Sequence, residues 1–245
     1  MSAAFILQLC LGTLAASPVD DFKTANKLYD DGKFVEAIAI YQKIEPKYSN
    51  VFYNLGNACF RANQLGRAIL NYERARRLCP RDPDILANLS FAQERLAVGA
   101  VNVPPGPFER FFERIVFRAT VNEWSAQELV AAWSLALALS LAVCTPQVRK
   151  LFLCLAIAAL LWLLGCASAI ASHQATVRRA PTAVVIQHNS EARFAPLADA
   201  TVHFKLLEGT KVIVREDRGQ WLFVERADKQ QGWLQKDAVE LVGSY

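Results

Sequence analysis

Two uncharged runs constrain this chain more than anything else in it: Leu129 to Val148 and Leu151 to Ser172 contain no Asp, Glu, Lys or Arg. Each is about 20 residues, the length at which a helix rising 1.5 Å per residue crosses a hydrocarbon layer about 30 Å thick. Only Arg149 and Lys150 separate them, directly after Thr145-Pro146, a helix-breaking pair, so the expected form is a tight transmembrane hairpin over 129–172. The competing reading is a pair of buried helices in a soluble core. It is disfavoured because neither run has a polar face to turn toward water. A hairpin returns the chain to the side it left, so residues before 129 and after 172 are expected in one aqueous compartment.

The rest of the 245 residues leaves room only for small folded parts on either side of the hairpin. The net charge of +4 is mild and its arginines are scattered, which argues against a nucleic-acid surface with its concentrated basic stripe. Of the six cysteines, Cys144, Cys154 and Cys166 lie in the apolar runs and Cys10 in the apolar N-terminal stretch, and no CxxC pair exists. Neither a zinc site nor a thioredoxin-like motif is supported. His173, His188 and His203 all follow the hairpin, with no cysteine or paired carboxylate at a ligand-like spacing. No metal, cofactor or catalytic residue is predicted. The nearest catalytic candidates, Cys59 with a histidine or Asp30 with Asp31, fall on a repeat helix or a turn without a placed base, so the chain does not read as an enzyme.

Ala3 to Ala16 is short and mostly apolar and ends in small residues. The length suits the core of a secretory signal over 1–17, with Thr13-Leu14-Ala15 or Leu14-Ala15-Ala16 as the cleavage site, although no Lys or Arg precedes it.

Over 18–97 the pattern is helical and repeats. Ala25, Leu28, Tyr29, Gly32, Phe34, Ala37, Ile38 and Tyr41 recur 31 residues later as Gly56, Cys59, Phe60, Asn63, Leu65, Ala68, Ile69 and Tyr72. Self-similarity at this spacing marks stacked helix pairs, each too small to bury its own apolar face. In the second copy Phe52, Leu55, Gly56, Ala68, Tyr72, Ala75 and Pro80 all fall in place. Gly56 and Ala68 are expected to let two antiparallel helices approach, with Tyr72 beside them and Pro80 ending the second helix. This pattern resembles a tetratricopeptide repeat. Asp82-Pro83 opens a further helix, with Asn88 and Leu89 placed 34 residues after Asn54 and Leu55, giving two repeats and a capping helix. The resemblance implies a concave face that binds a peptide or protein, with Asn54, Asn57, Arg61 and Asn88 as candidate contacts; a merely solvated face is the alternative for each. Cys59 and Cys79 read as packing residues, and antiparallel packing separates them too far for a disulfide.

Val98 to Pro107 is a Gly- and Pro-rich linker. Phe108, Phe111, Phe112, Ile115 and Val116 then recur at helical spacing, giving an amphipathic juxtamembrane helix within 98–128. It either lies along the lipid interface, with Trp124 and Trp133 near the boundary, or packs on the repeats. Arg149 and Lys150 favour a cytoplasmic turn, whereas Arg114, Arg118, Arg178 and Arg179 flank the other side. Basic residues therefore do not decide orientation; an exported N-terminus places both folded parts outside the cytoplasm.

After the polar connector His173 to Pro181 the period switches to strands: Ala183–Ile186, Ala200–Val202, Thr210–Val214, Trp221–Val224 and Gly232–Leu234. Five short runs suit a small all-β barrel over 180–245. Leu207-Glu208-Gly209-Thr210, Gly219-Gln220-Trp221-Leu222-Phe223-Val224 and Gly232-Trp233-Leu234 resemble a bacterial SH3-like domain. That resemblance implies a peptide or cell-wall ligand. Trp221 and Trp233 form a candidate aromatic groove with Arg193 at its edge, the alternative being that one or both tryptophans fill the core.

Repeats, hairpin and SH3-like domain in this order resemble the BatE aerotolerance family of bacterial inner-membrane proteins, most closely over Asp82-Pro83-Asp84-Ile85-Leu86-Ala87-Asn88-Leu89. The family resemblance implies a bacterial inner-membrane protein; the two spans are expected from the hairpin, and the periplasmic placement of both soluble parts from the export signal. It also implies a complex with von Willebrand A-type proteins and a MoxR-type ATPase, and no catalytic residue. Two readings follow: a membrane-anchored scaffold that grips one partner with its repeats and makes a second contact through the SH3-like domain, or a sensor whose SH3-like domain binds peptidoglycan.

Overall fold

The computed structural model describes residues 17–96, 119–179 and 181–243. The expected export signal, apart from Ser17, lies outside the described residues, as do the linker and the amphipathic segment through residue 118.

Five helices make up the first part: α1 (Pro18–Asp30), α2 (Phe34–Tyr41), α3 (Ser49–Arg61), α4 (Leu65–Leu78) and α5 (Pro83–Leu96). Their ends follow local chemistry. The Ser17 side chain accepts the Val19 N–H ahead of α1, Pro18 occupies its first turn, and Asp20 and Asp21 meet the positive end of the helix dipole. Asp82 caps α5 by accepting the N–H groups of Asp84 and Ile85. Gly32 and Asn63, equivalent in the 31-residue repeat, both take positive φ (78° and 59°) in the turns that follow α1 and α3. The α1–α2 and α3–α4 pairs share one core through Ala25, Ala37, Tyr41, Leu55, Ala68 and Tyr72. A Cβ on Gly56 would lie 2.7 Å from two ring carbons of Tyr72, so this position admits only glycine without rearrangement. Helix α5 closes the stack, with Ile85 packed on Phe52 and Ala75.

The second part is a pair of helices, α6 (Val121–Cys144) and α7 (Arg149–Arg179), joined through a short 3-10 turn at Pro146–Val148. Both are long and apolar enough to cross a membrane. Helix α6 begins at Val121 because Thr120 and Glu123 form a capping box, each side chain accepting the other's backbone N–H. Helix α7 runs through most of the stretch expected as a polar connector, since no breaker intervenes before Pro181. Small residues are the buried ones, Ala131, Ala138 and Ala142 on α6 with Ala156, Cys166 and Ala169 on α7, while Trp133, Leu137, Leu161 and Trp162 are exposed. Small side chains let the two apolar helices approach closely.

The third part is a seven-stranded sheet: β1 (Thr182–Val185), β2 (Ser190–Arg193), β3 (Val202–Leu206), β4 (Lys211–Arg218), β5 (Trp221–Arg226), β6 (Gln231–Gln235) and β7 (Val239–Leu241). Their order is β3-β2-β6-β5-β4-β1-β7 and every pairing is antiparallel. Strands β2 and β7 add to the five runs visible in the sequence. The first reads Ser-Glu-Ala-Arg and the second is three residues long, so neither carries an apolar alternation strong enough to see. Gly209 and Gly219 supply positive φ (78° and 64°) in the turns flanking β4. The core is built from Val185, Leu206, Val212, Leu222, Val224 and Leu234.

The repeats and the sheet touch. Val184 of β1 and Val242, just past β7, belong to the same apolar cluster as Ile69 and Leu70 of α4. Around that contact Glu73 meets Lys211 at 3.1 Å, and Arg74 donates to Glu240 at 2.8 Å and to the Leu241 carbonyl at 2.7 Å. At one end the Gly66 N–H donates to Glu208 at 2.6 Å. Beyond the other end Arg81 meets Glu123 at 2.6 Å, which brings the close of α4 to the start of α6.

Candidate functional site

The first helices of the repeats, α1, α3 and α5, carry a polar arrangement that repeats with the fold. In one unit Tyr41 O–H donates to Asn26 Oδ1, which also accepts from Asn54 Nδ2 at 3.0 Å. In the next, Tyr72 O–H donates to Asn57 Oδ1 at 2.7 Å, which also accepts from Asn88 Nδ2 at 3.0 Å. Asn88 further donates to the Tyr53 hydroxyl at 2.9 Å. Each three-residue set ties the two helices of one repeat to the first helix of the next. Burial pushes the Tyr41 phenol up to about 12 and raises that of Tyr72 as well, so both hydroxyls stay protonated donors across physiological pH.

The sets leave groups over. Asn26 and Asn57 each use their carbonyl oxygen twice and their amide nitrogen in no bond among the described residues; Asn54 and Asn88 use the nitrogen, not the oxygen. One amide nitrogen and one amide oxygen per repeat therefore remain, on side chains that are partly exposed. A peptide main chain offers the same alternation. Beside them Phe60 and Phe91 pack with ring centroids 5.5 Å apart, Phe91 being 57% exposed. Arg95 lies over Phe60 at 5.5 Å and Arg61 over Phe34 at 4.9 Å. At the N-terminal ends of α3 and α5 this face runs into an open cleft of about 670 Å³ lined by Tyr48, Tyr53, Leu78, Asp82 and Ile85 among others.

Asn54, Asn57 and Asn88 thus stand together in this network, while Arg61 sits at its edge on an aromatic ring. Sequence reasoning missed Asn26 and the tyrosine hydroxyls. The signal was available: Asn26 and Asn57 are 31 residues apart, as are Tyr41 and Tyr72. Cys59 is buried and Cys79 exposed, both as free thiols, and burial holds the Cys59 thiol up at about 12, far from a reactive thiolate.

On the sheet, Arg193 pairs with Trp233 and Phe223 with Trp233, whereas Leu222 pairs with the core residue Leu234. Alternation along a strand therefore puts Arg193, Trp221, Phe223 and Trp233 on the face opposite the core, and neither tryptophan belongs to the core cluster. Trp233 is nevertheless only 7% exposed, because Phe223 packs on it at 5.1 Å and the Arg218 guanidinium lies 4.9 Å from its ring. Arg193 is held by the Ala200 carbonyl at 2.6 Å and by Glu191 at 2.9 Å. Nearby, Glu225 is buried and accepts from Arg215, Gln231 and Lys229, which hold its carboxyl down at about 2.

A family model for the TPR repeat matches residues 56–96. The match covers Gly56 through the end of α5, so this stretch is similar to a TPR repeat in sequence as well as in its helix pairing. No curated protein matches the chain. Repeats of this kind are interaction modules rather than catalysts, and among the described residues no cluster of His, Cys, Asp and Glu is placed to hold a metal ion.

Proposed function

We propose that the protein is a membrane-anchored scaffold that grips an extended segment of a partner protein along α1, α3 and α5 while α6 and α7 cross the bilayer. The observation that carries this reading is the repeated donor and acceptor left over on Asn26, Asn54, Asn57 and Asn88 beside the exposed Phe91. Main-chain recognition by amide side chains is tolerant of sequence, and the neighbouring rings supply apolar anchors. Arg61 and Arg95 add positive charge at the same edge. The order of parts resembles the BatE family, and on that resemblance the partner belongs to a bacterial inner-membrane complex of von Willebrand A-type proteins with a MoxR-type ATPase; an exported N-terminus would make both soluble parts periplasmic. The C-terminal sheet fits the SH3-like domain of the same reading. Two of its three candidate wall-binding residues are already engaged within the sheet, Arg193 by Glu191 and the Ala200 carbonyl and Trp233 under Arg218, leaving Trp221 half-buried; this favours the repeats as the partner site.

The test places a photo-crosslinking residue at Phe91 on the asparagine face or at Val35 on α2, in full-length protein in native membranes. The expected result is one polypeptide crosslinked from Phe91, lost when Asn54 and Asn88 are both changed to alanine, and no such product from Val35. Equal products from the two positions would overturn the assignment of the face. Extraction of the chain from membranes by alkaline carbonate would overturn the anchor.

A further inference from the structure

Helix α4 is buried from Ala68 through Ala75 without a break, a stretch that includes Asn71, Glu73 and Arg74. Helix pairing with α3 and α5 accounts for one side, through Ala68, Tyr72 and Ala75. The second helix of such a repeat ordinarily turns its other side to water, and Gly66, Leu70, Glu73, Arg74 and Arg77 lie there by helical spacing. Here the sheet covers that side. Leu70 joins Val184 and Val242 in one apolar cluster. Burial alone would raise the Glu73 carboxyl, but Lys211 of β4 and Arg76 outweigh it and hold the group below the ordinary glutamate value.

Two glycines show how close the surfaces are. A Cβ on Gly66 would stand 2.5 Å from Glu208 Cγ and 2.7 Å from the Val185 carbonyl oxygen; one on Gly209 would stand 2.4 Å from Leu96 Cδ1 and 2.7 Å from Ile69 Cδ1. Helix α4 also has no N-cap of its own, since Gln64 makes no capping bond. Glu208 supplies it from the sheet, one oxygen accepting the Gly66 N–H and the other meeting His188 at 3.0 Å.

We infer that residues 17–96 and 181–243 form one discontinuous domain into which the helical hairpin is inserted, with the sheet as the resident partner of α4. The sheet takes the place a neighbouring repeat or an outside protein would occupy. An external partner is thereby kept off the outer side of α4, and the two flanks of the hairpin fold together only in a shared compartment. This inference stands on the α4 contact alone and does not depend on the partner reading above.

The experiment uses the full chain in detergent, with a specific protease site inserted between residues 100 and 101. After cutting, the fragment carrying α1 to α5 is expected to elute with the hairpin-and-sheet fragment on gel filtration. The paired change Glu208→Ala with Lys211→Ala, at a turn and a strand end, removes the sheet's contacts to Gly66 and Glu73 and leaves those to Arg74 in place. It should speed release on the order of tenfold or more, since truncating buried charged partners acts on dissociation. Near-ultraviolet circular dichroism of the released sheet fragment checks that the sheet itself remains folded. Arg81→Ala, which removes the contact to α6, should leave the fragments together. Separation of the unaltered fragments on cutting would overturn the inference, as would release by Arg81→Ala together with retention by the Glu208 and Lys211 pair. Partner crosslinking from Phe91 is scored separately in the uncut chain, so failure of one reading is distinguishable from failure of the other.

Discussion

Changing Gly66 to alanine sets two effects of opposite sign against each other. Gly66 is the second residue of α4, and helix preference alone favours alanine there by up to about 1 kcal/mol. The contact with the sheet reverses the sign. The new Cβ falls 2.5 Å from Glu208 Cγ and 2.7 Å from the Val185 carbonyl oxygen. Glu208 can swing aside, but only by giving up the 2.6 Å bond that caps α4, a loss of about 1–2 kcal/mol. The Val185 carbonyl, on β1, cannot swing, because it accepts the N–H of Gly209 in the β3–β4 turn at 2.7 Å. Forcing it away costs a further ~1–3 kcal/mol as overpacking. The net expectation is a loss of about 1–4 kcal/mol. For a folded unit of this size that is a fall of roughly 3–12 °C in unfolding temperature, followed by near-ultraviolet circular dichroism on the full-length protein in detergent. Gly32→Ala is the comparison, having positive φ and open space around its Cβ, where the expected cost is the backbone term alone, about 1 kcal/mol. An unfolding temperature for Gly66→Ala at or above that of the parent would refute the docking of α4 on β1, because helix preference would then be the only term left.

Gly56→Ala should lower the denaturant midpoint by about 1–3 kcal/mol equivalent despite better helix preference, since Tyr72 is buried and tied through its hydroxyl to Asn57; an unchanged urea midpoint would contradict the close packing of α3 on α4. Asn57→Ala leaves the Tyr72 hydroxyl and the Asn88 amide without their shared acceptor, a cost of about 1–3 kcal/mol that should shrink in a Tyr72→Phe background; additive effects of the two changes would show that the bond does not form. The Glu225 carboxyl is depressed to about 2 by hydrogen bonds from Arg215, Gln231 and Lys229, so its contribution is fully present above the ordinary value of 4.5 and is lost as pH falls from there toward about 2. Glu225→Gln should flatten that acid limb of the stability curve, and an unchanged limb would argue against the cluster. Arg81→Ala removes a half-exposed pair with Glu123 and should change stability by less than about 1 kcal/mol, checked by the same thermal unfolding; a larger loss would mean that this contact holds the repeats to the hairpin.

The repeats and the hairpin were readable because their signals are local. Gly32 and Asn63 align at 31 residues and both take the left-handed conformation, and Gly56 and Tyr72 meet as their positions in a repeat require. The apolar runs at 129–148 and 151–172 correspond to α6 and α7, with only their ends moved, by the Thr120–Glu123 box on one side and by Pro181 on the other. The sheet was half visible. Alternation identified the strands rich in Val, Ile, Trp and Phe, but β2 is polar and β7 is short, and both are held by pairing to strands distant in sequence. Of the candidate site, Asn54, Asn57 and Asn88 were picked out by position, whereas the role of Asn26 emerges only when the tyrosine hydroxyls are followed to their acceptors.

Helix α4 could not be read from its own sequence, and the reason lies in what burial does to charge. Asn71, Glu73, Arg74, Arg76 and Arg77 make its outer side look solvated, since an unpaired charge is too costly to bury. The partners that make burial possible, Lys211 for Glu73 and Glu240 for Arg74, stand beyond the hairpin, where nothing in a local pattern links them to α4. The same holds for the helix start: Gln64 is a poor cap, and its replacement, Glu208, is 142 residues from the N–H it accepts. Charged pairs of this kind add little net stability over apolar packing, but an incorrect docking strands both charges. The apolar contact of Ile69 and Leu70 with Val184 and Val242 supplies the attraction, and Glu73, Arg74 and Glu208 fix its register. A chain whose two flanking parts meet across an inserted hairpin gains from such a register, because one arrangement pairs Glu73, Arg74 and Glu208 and shifted ones do not.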